Sequence, residues 1–377
     1  MIKVLFAIDS LQTGGAENSI LEITSQFSAE TKPLIVFFYK NDFLKTEFEK
    51  RGVRVIGLGL TGKYQFREGI RRFGAILEIE RPAMVVATLF RSEIISRIAC
   101  RKHKIPNIGT FVNDTYSPFE MAGYSMSRKA MVQLFRVLNS YTARYCKAFL
   151  SNAQSIKESN ARALGIPLEK IKVIYRGRRT DKYSFQVEKR FNHSSISIFS
   201  VGRLIERKGQ LELIRAFSQF LRHHPDATLT IAGEGPFRPE LEKEIQQLQL
   251  SGKASLLGNV KNIPALLDSH DVFVFPSHNE GFSGALVEAM LAGIPIVASD
   301  IPMNKEAVTH QQTGYLFPVT DVNKMAEGMR WVAENKEAAI QMSIEGRKQA
   351  EKHFDIREVV RQHEQFYHEI AAGRSFS

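Results

Sequence analysis

Apolar positions along the chain gather into short runs separated by longer segments of helical period, and the pattern occurs twice. In the first half, residues 3–8, 33–38, 53–56, 84–87, 107–111, 148–150 and 172–174 read as strands, with helices at 16–27, 43–50, 67–79, 92–102, 127–145 and 155–164. Alternation of this kind is what a doubly wound sheet requires. A polar stretch, 182–195, rich in Ser, Asn and charge, interrupts it and reads as a linker. Strands then resume at 196–201, 228–232, 255–257, 272–275, 294–298 and 315–317, and helices at 322–334, 336–353 and 356–371 close the chain. Two Rossmann-like halves of similar size would place a ligand cleft between them.

Length supports this division, since 377 residues exceed one compact core and imply about two domains. A hydrophobic content of 44% without low-complexity segments is that of a globular protein. No apolar run approaches membrane-spanning length, and the opening MIKVLFAID enters a strand instead of a signal-peptide core, so a cytoplasmic protein is expected. Cys100 and Cys146 lack metal-ligand spacing and are expected to be reduced, buried thiols.

Charge changes the picture of the first half only. Residues 1–180 carry 29 Lys and Arg against 15 Asp and Glu, so the net charge of +11 belongs there. An anionic membrane surface or a phosphate-bearing acceptor would suit this excess; nucleic acid is not expected, because no recognised binding motif accompanies it. Residues 116–145 interleave Met, Phe, Leu, Val and Tyr with Arg128, Lys129, Arg136 and Arg144. An interfacial helix and a core helix both show this pattern. The later part is assigned to the core, and 118–128 to a membrane or acceptor contact.

Candidate chemistry concentrates at strand ends. The stretch PSHNEGFSGALVEAMLAGIPIVA at 276–298 is a glycine-broken loop, a short helix and a buried strand, with Glu280 and Glu288 eight residues apart. Gly281 and Gly284 allow close backbone approach, and a helix start offers free N–H groups to an anion. Carboxylates for hydroxyls beside a phosphate cradle suit a nucleotide-sugar; an ordinary inter-element loop is the alternative. Gly202-Arg203 through Lys208-Gly209 follows another strand and sets two cations where a diphosphate could be held. Gly233-Glu234-Gly235 ends a third strand with a turn small enough for a base or ribose, and Gly258-Asn259-Val260 ends a fourth. In the first half, Gly14-Gly15 lies between the first strand and its helix; the pair is not a G-x-G-x-x-G fingerprint.

Taken in order, Gly-Gly-Ala-Glu, Gly-Arg-Leu-x-x-x-Lys-Gly, Ala-Gly-Glu-Gly-Pro and Glu-Gly-Phe-Ser-Gly-x-x-x-Glu resemble the family-four retaining glycosyltransferases of the GT-B fold, over nearly the whole chain. The resemblance implies an α/β protein of two Rossmann-like doubly wound domains facing a central cleft. An acceptor-binding domain would span 1–180, a nucleotide-sugar-binding domain 181–355, and a C-terminal helix, 356–377, would pack back toward the first domain. It implies that Arg203 and Lys208 hold the diphosphate and offset leaving-group charge, that Glu288 takes ribose hydroxyls and Glu280 a sugar hydroxyl, and that the backbone of Phe282, Ser283, Gly284 and Ala285 meets sugar and phosphate. Gly14, Gly15, Gly202, Gly233, Val260 and Gly281 would complete the donor site. Arg91, Asn113 and Asp114 are acceptor-side candidates.

The implied reaction moves a sugar from a UDP- or GDP-sugar to a glycan or lipid-linked acceptor in surface polysaccharide synthesis. Front-face attack would need no protein nucleophile. Without an Asp-x-Asp motif, neither a metal nor another cofactor is expected. Two departures stand out. Many relatives carry a histidine where this chain reads Thr110-Phe111-Val112-Asn113-Asp114, and Arg176-Gly177 replaces the usual Asn-Gly. Both put acceptor or sugar identity in question. A sugar-nucleotide epimerase or a non-catalytic nucleotide-sugar-binding subunit are the alternatives on this architecture.

Overall fold

The chain opens with β1 (Ile2–Ile8), whose successive side chains enter two cores. Val4, Phe6 and Ile8 pack with Ile35, Val86 and Ile108 on one face of the sheet, while Leu5 and Ala7 pack with Val36, Phe73 and Ile95 on the other. Burial on both faces makes such a strand a continuous apolar run in the sequence. The computed structural model describes residues 1–62, 64–117, 121, 123–191 and 195–374. Contacts divide the chain into two units: Met1–Gly177 with the segment from Ile356, and Arg178–Asp355.

In the first unit β2 (Thr31–Tyr39), β3 (Arg54–Leu60), β4 (Met84–Thr88), β5 (Asn107–Phe111), β6 (Ala148–Ser151) and β7 (Ile171–Val173) join β1. Among the described residues they form a seven-stranded parallel sheet in the order β3-β2-β1-β4-β5-β6-β7. The C-terminal helix Ile356–Ala371 packs in this unit, as the resemblance implies. The Tyr367 ring meets Phe6 and Phe27 edge-on at 6.0 and 6.1 Å, and the Ser28 N–H donates to Glu364 Oε1 at 2.9 Å. Cys100 and Cys146 are free and buried, and burial pushes them up to about 12 and 11, so both stay as unreactive thiols.

Helix Met126–Ala143 departs from the expected core role. Leu134, Val137 and Tyr141 are 66%, 64% and 51% exposed, whereas Asn139, Thr142 and Ala143 are buried. Its anchor is polar. The fully buried Arg97 donates to the side chain of Asn139 and to Thr142 Oγ1 at 3.3 Å, and it pairs with Glu93 at 2.9 Å. Asn139 in turn donates to the Tyr116 hydroxyl at 2.8 Å. A buried guanidinium must be surrounded by acceptors, so the face that supplies them turns inward and the apolar stripe turns out. Of the alternative contact stretch, Pro118, Phe119, Glu120 and Ala122 lie outside the described residues. Among the described residues no helix is long and apolar enough to cross a membrane.

The second unit holds β8 (Ser197–Val201), β9 (Thr228–Ala232), β10 (Ala254–Gly258), β11 (Val272–Phe275), β12 (Ile296–Ser299) and β13 (Tyr315–Phe317). Among the described residues they form a parallel sheet in the order β10-β9-β8-β11-β12-β13. Helices Gln210–Phe220 and Val322–Glu334 bury Phe217, Phe220, Met325 and Met329 against Ile198, Leu229 and Val274. The polar segment read as a linker packs into this unit over its described part. Tyr183, Val187 and Phe191 are buried, and Arg190 donates to the carbonyls of Gly293, Leu267 and Ala292 at 3.0, 2.9 and 2.9 Å. Burial pulls Arg190 down to about 10 against the opposing charges of Asp268 and Asp271. A charged composition conceals an arginine whose partners are distant backbone carbonyls.

His363, on the C-terminal helix, is buried with its ring 3.1 Å from the Tyr367 hydroxyl, and burial pulls it down to about 4 from 6.5. Between those values the unfolded chain binds the extra proton, so stability falls as pH drops from 6.5 to 4, by up to about 3 kcal/mol. Urea unfolding at either end of this window should show a loss that His363→Gln reduces.

Candidate active site

In the second unit the sheet order reverses direction between β8 and β11, and ligands of open parallel sheets bind beyond the carboxyl ends at such a reversal. The loops leaving these two strands carry the Arg203–Lys208 segment and the Glu280 segment. Their backbones touch. His278 N–H donates to Arg207 O at 2.9 Å, and Gly209, at φ +69°, lies where a Cβ would collide with the Pro276 carbonyl. The loop after β9 joins them: Leu204 N–H donates to Glu234 O at 2.9 Å and Phe237 N–H to Leu204 O at 3.0 Å. Gly233 sits against the Gly202 carbonyl, and Gly235 against that of Leu204. Approach of one loop to another is therefore sufficient reason for glycine at 233 and 235.

On this framework Lys208 and Glu280 form an ion pair, their side chains 17% and 14% exposed, and the lysine Nζ lies 5.8 Å from the centroid of the Phe275 ring. Glu288 pairs with Arg178, its Oε1 accepting from Nε at 2.6 Å. Sequence reasoning missed Arg178. Its signal was the basic run Arg176–Arg179, noted only as a departure from Asn-Gly. The helix Gly284–Leu291 starts at Ser283, whose hydroxyl accepts from Leu286 N–H at 3.4 Å. The Arg178 guanidinium lies against Gly284 so closely that a side chain there would overlap it. A cation at a helix start opposes the helix dipole, and the arrangement becomes favourable when an anion joins it. Phe282 is buried, its ring 4.9 Å from Phe354. Arg203 is exposed and forms no ion pair among the described residues. Gly281 and Ser283 are buried, Ala285 half-buried, and Val260 stands half-buried two residues past β10.

The first unit repeats the reversal and again sets carboxylates beside arginines. Its sheet reverses between β1 and β4. Asp9 follows β1, its Oδ1 accepting from Ser92 N–H at 2.8 Å and its Oδ2 3.5 Å from Arg91. Burial pushes Asp9 up, with Ser92 and Arg91 opposing, and burial together with the Asp9 charge pushes Tyr39 up to about 12. Glu17, buried on the first helix, is also raised by burial; its carboxylate fills the space a Cβ on Gly14 would need. Gly15 faces Arg176. Asp9 and Glu17 were not foreseen: Asp9 lies in no recognisable motif, and Glu17 closes the Gly-Gly-Ala-Glu motif, in which only the glycines were given a role. The three acceptor-side candidates have different partners. Arg91 faces Asp9 and Tyr39, Asp114 accepts from the Ser159 hydroxyl, and Asn113 lines a pocket of about 190 Å³ with Thr110, Tyr116 and Asn160.

Along the chain, residues 13–182 match the model described as Glycosyltransferase Family 4, and residues 181–349 match Glycosyl transferases group 1. The chain belongs to these glycosyltransferases. It is 30% identical over 247 residues to a glycogen synthase of Mycobacterium tuberculosis, a match that covers 65% of this chain and 59% of that relative's length. It is 25% identical over 272 residues, 69% of each chain, to the UDP-Gal:alpha-D-GlcNAc-diphosphoundecaprenol alpha-1,3-galactosyltransferase of Escherichia coli. Anabaena Alr3699/HepE in complex with UDP-glucose has the same fold, at TM-score 0.83 and 22% identity over 99% of this chain and 100% of that one. The lipopolysaccharide outer core galactosyltransferase WaaB superposes at TM-score 0.78 and 16% identity, covering 98% and 100%. The chain thus has the GT-B fold of two Rossmann-like parallel-sheet domains.

Gly209→Ala should lower the stability of the second unit by about 3 kcal/mol, because strain and collision add. Gly252→Ala, at φ +81° with nothing within 4 Å, should cost only about 1 kcal/mol. Thermal unfolding of the two variants measures the difference.

Proposed function

We propose that this chain transfers a hexose from a UDP- or GDP-sugar, with retention and without a metal ion, to a glycan or lipid-linked acceptor at an anionic membrane surface in surface polysaccharide synthesis. The observation that carries this reading is the pairing of Glu280 with Lys208 and of Glu288 with Arg178 at the reversal point of the second sheet. Carboxylates already held in place by cations keep oxygen lone pairs free to accept hydroxyl hydrogen bonds, so they orient a sugar and a ribose. Lys208 and the exposed Arg203 supply the positive charge that a departing diphosphate requires. Arg178 holds Glu288 in place and adds a further cation beside the helix start. The backbone from Phe282 to Ala285 meets the donor, and glycines 202 and 281 keep that approach open.

Support for the donor class comes from the E. coli relative, described with UDP-Gal, and from the Anabaena protein bound to UDP-glucose. The same E. coli relative, acting on a diphosphoundecaprenol-linked sugar, supports a lipid-linked acceptor. The acceptor falls to the first unit, with Arg91, Asn113 and Asp114 as its candidates. Retention by front-face attack leaves the acceptor proton to a donor phosphate oxygen and asks for no protein nucleophile.

A thermal-shift panel of UDP-, GDP- and ADP-sugars should give a rise in Tm for one nucleotide class. In calorimetric titration with that nucleotide-sugar, Arg203→Ala or Glu288→Ala should weaken binding about 10- to 100-fold while the fold is kept. Unchanged affinity in both variants would remove the assignment of these residues. Turnover should persist in EDTA; its loss would overturn the metal-free clamp. Isomerisation of the donor without an acceptor would decide for an epimerase.

A further inference from the structure

The outward face of helix Met126–Ala143 has no counterpart in the donor chemistry. Met126, Ala130, Leu134, Val137 and Tyr141 recur at spacings of three and four, so they share one face; Met131 and Leu138 widen it. Met126, Met131, Leu134, Val137, Leu138 and Tyr141 are 80%, 42%, 66%, 64%, 36% and 51% exposed. Over 18 residues the helix runs about 27 Å. Scattered exposed apolar side chains need no explanation, but a continuous stripe of this length marks a contact surface.

Charge identifies what would cover it. No Asp or Glu occurs between Glu120 and Glu158, while Arg128, Lys129, Arg136, Arg144, Lys147 and Lys157 do. Guanidinium groups stand at both ends of the stripe, each over an aromatic ring. Arg128 lies 3.8 Å from the Tyr124 centroid, Arg144 3.8 Å from Tyr141, and Arg101, from the neighbouring helix, 4.2 Å from Tyr145. Apolar side chains flanked by tyrosine and arginine match the depth profile of a bilayer interface, where chains enter the acyl region and cations meet phosphate. A second copy of the same face would oppose arginine to arginine.

We propose that this face docks the protein on an anionic phospholipid bilayer. The polar anchor through Arg97, Asn139 and Thr142 holds the helix in place with the stripe turned outward, so docking needs no refolding. This deepens the membrane part of the reading above, and rests on that reading only in expecting the bilayer to carry the acceptor. Vesicle binding is scored without turnover, so the two can fail separately.

The full chain is floated with vesicles of phosphatidylcholine alone, or with about 30% phosphatidylglycerol, at about 0.1 M salt. Binding should appear with phosphatidylglycerol, weaken as salt rises, and fall about tenfold or more in Leu134→Glu/Val137→Glu. Arg128→Gln/Arg144→Gln, which leaves the stripe intact, should also weaken it. Ile79→Glu, at a 79% exposed apolar position on helix Phe66–Glu80, should leave it unchanged. Absence of flotation with phosphatidylglycerol would overturn the proposal, as would equal flotation of Leu134→Glu/Val137→Glu. A dimer on gel filtration that the same double substitution splits would assign the face to a second copy instead.

Discussion

Two carboxylates eight residues apart, each held by a cation from another part of the second unit, set the geometry on which the candidate site depends. Glu280 and Glu288 are mostly withdrawn from water, as are Lys208 and Arg178. A half-buried charge without its partner is costly, so both pairs must form or neither side chain can sit where it does. The Lys208 pair requires the loops after β8 and β11 to lie in contact, which the adjacency of those strands provides and a glycine at 209 permits. The Arg178 pair ties the first residue of the second unit to the helix Gly284–Leu291. Strand order, loop contact and charge pairing are thus successive consequences of one another.

A buried ion pair organises the first unit differently. Glu93 and Arg97 are enclosed between sheet and helices, and Thr110 N–H donates to Glu93 Oε1 at 3.0 Å. The acceptors that satisfy Arg97 lie on helix Met126–Ala143, so that helix is oriented by hydrogen bonds. Hydrophobic burial would have turned it the other way. Polar contacts inside and an apolar stripe outside reverse the usual amphipathic arrangement, and the reversal gives this unit a surface suited to an interface.

The candidate site was legible to the extent that its chemistry is local. Glu280, Gly281 and Glu288 belong to one loop-helix stretch, and Arg203 and Lys208 to one strand end; parallel sheets place such strand ends together. Arg178 was not legible, because its partner lies 110 residues away and nothing in the basic run Arg176–Arg179 distinguishes one arginine from the next. Asp9 escaped for a similar reason, and Glu17 stood in the Gly-Gly-Ala-Glu motif with no role read from it. Their significance lies in burial and mutual charge, which a lone acidic residue does not announce.

The inner strands of both sheets could be read directly, since a strand buried on both faces is an apolar run whatever surrounds it. The family was equally readable, because its motifs are short and ordered along the chain. Tertiary structure alone decided which polar residues go inside. Residues 183–191 look like a linker until Arg190 is seen capping carbonyls of the second unit, and residues 127–143 look like a core helix until Arg97 claims their polar face. Periodicity records how apolar a face is. Which face turns inward depends on partners supplied by distant segments, and only the folded chain brings those partners together.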